Sequence, residues 1–95
     1  MIKSFADKET EKIFNNKISK KFPMDLHKRA LAKLIIINKM IDIKDLMIPP
    51  SNKLEKLNGD RKDQWSVRIN QQFRICFYWN EETFEVTELE IVDYH

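Results

Sequence analysis

A chain of 95 residues has room for one domain around one core, and its 42% apolar share suffices for that core while 34% charged residues favour a soluble surface. No apolar run approaches the roughly 20 residues of a bilayer crossing, the start Met1-Ile2-Lys3-Ser4-Phe5 has no secretory pattern, and one cysteine, Cys76, offers neither a disulfide nor metal-ligand spacing; a cytoplasmic location without membrane contact is the default expectation. The net charge of +2 is unevenly spread: residues 1–50 carry 11 Lys/Arg against 6 Asp/Glu, residues 51–80 carry 6 against 3, and residues 81–95 carry 6 acidic groups and no Lys or Arg, a basic body compatible with a phosphate backbone or with an ordinary solvated surface.

Residues 2–5 alternate apolar and polar, as a first strand would. Asp7 is a good N-cap for a helix running to about residue 16, with Ile13 and Phe14 on its apolar side. Pro23 suits the first position of a second helix, with Asp25 in its first turn. Leu26, Ala30, Leu34, Ile37 and Ile41 recur at three- and four-residue steps, and Ile35 and Ile36 widen that stripe, so this helix is expected to cover a sheet. His27, between Leu26 and Lys28, reads as a surface or boundary residue.

Pro49 and Pro50 end the helical region. Leu54 and Leu57 precede Asn58-Gly59-Asp60, a turn whose glycine, the only one in the chain, is expected at positive φ. The chain then alternates with period two: Trp65, Val67 and Ile69 share one face, with Gln64, Ser66 and Arg68 opposite. After Gln71-Gln72 the pattern returns, with Phe73, Ile75, Phe77 and Trp79 against Arg74, Cys76 and Tyr78. Following the turn at Asn80-Glu81-Glu82, Phe84 and Val86 keep one phase while Leu89 and Ile91 take the other, which predicts a β-bulge near Thr87-Glu88. The predicted order is β-α-α-β-β-β, an α+β domain whose twisted antiparallel sheet packs on two N-terminal helices. Cys76 is expected to be a small buried strand residue.

The polar face of the predicted meander carries the chemistry. Arg68 and Arg74 fall on one surface near a turn, where two guanidiniums can grip a phosphate and stabilise charge building on it; pairing with Glu88 or Glu90 is the alternative. The run Asp93-Tyr94-His95 offers a carboxylate, a phenol and a histidine suited to proton transfer, or else a solvated tail. Neither a glycine-rich phosphate loop nor a His/Cys metal constellation is present, so neither a metal nor another cofactor is expected.

Four ordered strings resemble one family: Met1-Ile2-Lys3-Ser4-Phe5-Ala6-Asp7; Pro49-Pro50-Ser51-Asn52-Lys53-Leu54-Glu55-Lys56-Leu57-Asn58-Gly59-Asp60-Arg61; Gln64-Trp65-Ser66-Val67-Arg68-Ile69-Asn70 with Gln72-Phe73-Arg74-Ile75-Cys76-Phe77; and Glu90-Ile91-Val92-Asp93-Tyr94-His95. Together these are similar to HigB-type toxins of the RelE/ParE superfamily of type II toxin–antitoxin systems. The resemblance spans essentially the whole chain and implies a RelE-like fold. It also implies a metal-independent endoribonuclease that cuts messenger RNA on the ribosome, blocks translation and is neutralised by a HigA-type helix-turn-helix antitoxin, with operator DNA reached only through that antitoxin. It assigns His95 as acid or base, Arg74 as phosphate clamp, and Asp93 and Tyr94 as orienting or stacking groups. Glu55 stands where some relatives have a histidine and is a candidate base, while Arg61, Arg68, Lys56 and Lys62 are expected to hold the RNA backbone. Asn58 replaces a common lysine, and Asp63 a common glycine. A non-catalytic inhibitor of DNA gyrase, like ParE-type relatives, and a degenerate homologue that only binds its antitoxin are the alternatives.

Overall fold

The computed structural model describes residues 1–94, so expectations for His95 lie outside the described residues. Helix α1 (Lys8–Phe14) starts where Asp7 accepts a hydrogen bond from the Thr10 N–H at 2.8 Å, which satisfies an amide that the first helical turn leaves without a carbonyl. Helix α2 (Met24–Lys39) follows, with Pro23 as its N-cap rather than its first residue. Leu26, Ala30, Leu34 and Ile37 form its buried stripe. Two expectations fail on this helix. Ile35 and Ile36 point to solvent, because the three- and four-residue steps through Leu34 and Ile37 already fill the side that meets the sheet. Ile41 lies beyond the last turn, after Met40 leaves helical geometry, and is 67% exposed.

Two short 3-10 turns (Ile43–Met47 and Pro50–Asn52) lead into the sheet. Its four strands β1 (Glu55–Lys56), β2 (Trp65–Arg68), β3 (Phe73–Asn80) and β4 (Glu85–Asp93) run antiparallel in chain order. The expected N-terminal strand is present only as two parallel bridges, Ile2 to Val86 and Phe5 to Leu89, on the edge of β4. Between them lies the expected bulge. The register passes from Cys76–Glu90 to Tyr78–Thr87, so Glu88 and Leu89 oppose Phe77 alone, and Glu88 takes φ 52°. The extra residue turns Leu89 to the same side as Val86, and both are fully buried.

The helix-facing side of the sheet contributes Val67, Ile69, Phe73, Ile75, Phe77, Val86, Leu89 and Ile91 to the core, with Trp65 and Trp79 packed at its margin. Phe84 does not continue the strand phase. It occupies the β3–β4 turn at φ 60° and stacks on Trp79 at 6.3 Å. Thr10 is buried and accepts from the Ile91 N–H at 3.0 Å, which ties α1 to β4. Gly59 has φ 69°, as expected, and a Cβ there would meet nothing within 4 Å, so the turn needs glycine for its backbone and not for space. Asp63 also has a positive φ, 72°, which aspartate tolerates better than most residues. His27 clips the loop before its own helix: Nε2 accepts from the Ser19 N–H at 3.0 Å and Nδ1 lies 2.9 Å from the Pro23 carbonyl, partners that call for the Nδ1–H tautomer.

Candidate active site

The sheet face turned away from the helices is polar, and much of it is buried. Arg74 on β3 is only 9% exposed. Its Nε donates to the Ser66 hydroxyl on β2, and its Nη2 donates to the Lys53 carbonyl at 2.6 Å and to the Ser66 carbonyl at 3.3 Å. Period-two alternation puts Ser66 and Arg74 on one face, while the Lys53 carbonyl is aimed there by a left-handed residue, φ 48°, at the end of the second 3-10 turn. That turn is itself anchored by buried Asn52. Its amide donates to the Leu46 and Ile48 carbonyls, at 3.1 and 3.3 Å, and its oxygen accepts from Lys33 on α2 at 2.5 Å. Arg74 is thus held by three acceptors through Nε and Nη2, and Nη1 takes part in none of these bonds.

Two candidate residues meet Arg74 directly. Glu55 on β1 brings Oε1 to 3.6 Å from Arg74 Nη2 with its side chain half in solvent. The Tyr94 ring lies 5.3 Å from the guanidinium carbon, a cation–π contact, and the Tyr94 N–H donates to the Gln72 carbonyl at 2.6 Å. Arg68 is Arg74's cross-strand partner in the register, so the two arginines share one surface, as expected. Arg68 Nε is turned to the Asn70 carbonyl at 3.1 Å. The alternative of Arg68 or Arg74 pairing with Glu88 or Glu90 is not what forms.

Glu90 pairs instead with Arg61, whose Nη1 donates to Glu90 Oε1 at 2.8 Å and to Gln64 Oε1 at 3.0 Å. The bond to Glu90 raises the Arg61 pKa above the ordinary arginine value. Cys76 faces Glu90 across the strands and is fully buried; burial pushes its thiol pKa up despite the opposing field of Arg61. Cys76 lies between Glu90 on β4 and Ser66 on β2, so the partly exposed Arg61–Glu90 pair sits two strands from the Ser66 that holds Arg74.

The remaining predicted site residues spread out. Lys56 pairs with Trp65 in the register and lies over its ring at 5.7 Å, on the side away from Glu55 and Arg74, because successive strand residues face opposite ways. Lys62 is exposed on the turn before β2. Asp93 alternates away from Tyr94: it pairs with Phe73 in the register, accepts from the Gln72 side-chain amide at 3.1 Å, and borders a cavity with Lys21 and Phe22. Sequence reasoning missed Ser66 and the Lys53 carbonyl as the holders of Arg74. The alternation had placed Ser66 on this face, whereas nothing in residue identity marks a carbonyl.

The family model for the RelE-like toxin of type II toxin–antitoxin system HigB matches residues 3–95. The toxin HigB-1 of Vibrio cholerae serotype O1 is 34% identical over 80 residues, which is 83% of this chain and 84% of that protein. An uncharacterized protein of Haemophilus influenzae is 36% identical over 69 residues, 73% of this chain and 66% of its own length. In fold, the chain is similar to structures of the YoeB–YefM toxin–antitoxin complex from Staphylococcus aureus, with TM-scores of 0.59 and 0.55 at 18% identity, each covering all of this chain and 95% of the matched one.

Proposed function

This chain belongs to the RelE-like HigB toxins of type II toxin–antitoxin systems, and from that premise we propose that it is an endoribonuclease that cuts messenger RNA on the ribosome. The observation that supports this reading best is the buried, triply held Arg74 with a carboxylate and an aromatic ring against it. Cleavage by the neighbouring 2′-hydroxyl needs a proton acceptor, a cation for the phosphorane and a proton donor for the departing 5′-oxygen. Glu55 accepts the 2′-proton as the 2′-oxygen bonds to phosphorus. Arg74 Nη1 stabilises the charge on the non-bridging oxygens, and His95 protonates the 5′-oxygen as the P–O bond breaks, leaving a cyclic phosphate and a 5′-hydroxyl.

Tyr94 is the stacking surface for a nucleobase, since the residue is 44% exposed and its backbone is held to Gln72 through its amide. Arg68 holds the next stretch of backbone and Lys62 adds charge at the rim. Asp93 acts at a distance by fixing the strand end through Gln72, and Arg61 by bracing Glu90. Lys56 lies outside the RNA path. An antitoxin partner is supported by the structural neighbours, which are toxin–antitoxin complexes, and its HigA type is proposed from the HigB family match. No helix of the described residues is long and apolar enough to cross a membrane.

The reading is tested by Glu55→Gln and Arg74→Lys in a translation reaction with mapped mRNA ends. General-base loss is expected to slow cutting by about 10², and loss of the fork at Arg74 by at least as much. Full-rate cutting by both variants would refute the assignment.

A further inference from the structure

A cavity of about 250 Å³ lies at the far end of β2, bordered by Arg29 and Lys33 of α2, Ser51, and Arg68, Asn70 and Gln71 at the β2–β3 turn. Arg29 and Lys33 are four residues apart, so they share one side of the helix, where like charges repel. Five ion pairs form among the described residues, and none contains Arg29, Lys33 or Arg68. Lys33 instead meets the neutral Asn52 oxygen at 2.5 Å. Its ammonium pKa is lowered by burial and then by Arg29, the response expected of a cation without a counter-charge. Arg68 borders the cavity and donates Nε to the Asn70 carbonyl, and no hydrogen bond among the described residues takes up its two terminal nitrogens.

We propose that Arg29, Lys33 and Arg68, with the Ser51 hydroxyl, form a second phosphate site that takes a phosphodiester of RNA. Three cations from two elements converge on a space far larger than one water requires and smaller than a drug-sized ligand fills. Arg68 ties this space to the site already described, because its cross-strand partner is Arg74. A strand held at Arg74 therefore needs to travel only about 5 Å between paired Cα positions to come under Arg68. The inference rests on the endoribonuclease reading for the identity of the ligand, while the anion preference follows from the cavity alone. The phosphodiester belongs either to the bound messenger or to ribosomal RNA.

The test uses the whole chain, wild type and Arg29→Gln/Lys33→Gln, with Arg29→Gln alone as a variant that leaves the Lys33–Asn52 contact in place. Inorganic pyrophosphate should shift the backbone amide NMR signals of Asn70 and Gln71 in the wild type, and should not do so in the double variant. Binding of a short single-stranded RNA followed against KCl should show a salt slope shallower by roughly 1.4 for the double variant and 0.7 for Arg29→Gln, from two and one lost cations. Weakening with the oligonucleotide identifies the messenger strand; weakening only in co-sedimentation with ribosomes identifies ribosomal RNA. Amide shifts, salt slopes and ribosome binding that are all the same in wild type and variants would overturn the proposal. A wild type that takes pyrophosphate in this cavity yet cuts no messenger would refute the endoribonuclease reading and leave the anion site standing.

Discussion

Arg74 and Glu55 meet at 3.6 Å, one nearly buried and one half in solvent. The pair is asymmetric by construction. Three acceptors fix the guanidinium, whereas β1 is two residues long and leaves the carboxylate at the rim. A fixed cation beside a solvated carboxylate is an arrangement that, on the proposed function, suits a substrate that brings its own negative charge and must surrender a proton.

Ser66→Ala tests whether Arg74 is preorganised. Loss of one charge-assisted bond should cost roughly 1–3 kcal/mol of stability, and the loosened guanidinium should slow messenger cutting by about 10². Urea unfolding and end mapping on the same preparation read both effects. A destabilised variant that still cuts at the full rate would show that the Ser66 bond is structural only.

Arg61→Ala separates bracing from RNA holding. Its ion pair is partly exposed, so the stability loss should be about 1 kcal/mol or less, and the salt slope of RNA binding should not change. A slope shallower by roughly 0.7 would mean that Arg61 leaves Glu90 for the RNA.

Much of the fold was legible because period and phase are physical constraints. The shift from Val86 to Leu89 could bury both residues only with an extra residue between them, and the bulge is there. The polar face was legible in the same way, since alternation alone puts Ser66 and Arg74 together. Other features depend on contacts distant in sequence. Arg61 and Glu90 are 29 positions apart and meet only after the bulge has reset the phase of β4. The two-residue β1 carries no periodic signal, so the fourth strand of the sheet went unread. Ile35 and Ile36 misled because an apolar residue on a helix need not face the core.

Glu88 tests the bulge. At φ 52° and exposed, it should accept glycine with little change, whereas valine should cost about 1–2 kcal/mol. That corresponds to a fall of roughly 4–16 °C in melting temperature for a domain of this size. Equal melting temperatures for Glu88→Gly and Glu88→Val would contradict the backbone geometry assigned here.

Cys76 predicts an alkaline limb. Burial raises its pKa above the ordinary value of 9.0. The unfolded chain therefore releases this proton before the folded one does. The contribution is fully present below about pH 9 and is lost as pH rises toward the folded pKa. Urea midpoints at neutral and alkaline pH should fall more for the wild type than for Cys76→Ala. Parallel declines would remove the thiol from the account.

The most direct measurement is end mapping on a translated messenger, comparing the wild type with His95→Gln and with a chain lacking only His95. The account predicts discrete cuts with the wild type and a loss of about 10² or more in both variants, with melting temperatures unchanged. Undiminished cutting by His95→Gln would contradict the proton-transfer assignment, and growth arrest by the wild type without any messenger cuts would contradict the endoribonuclease itself.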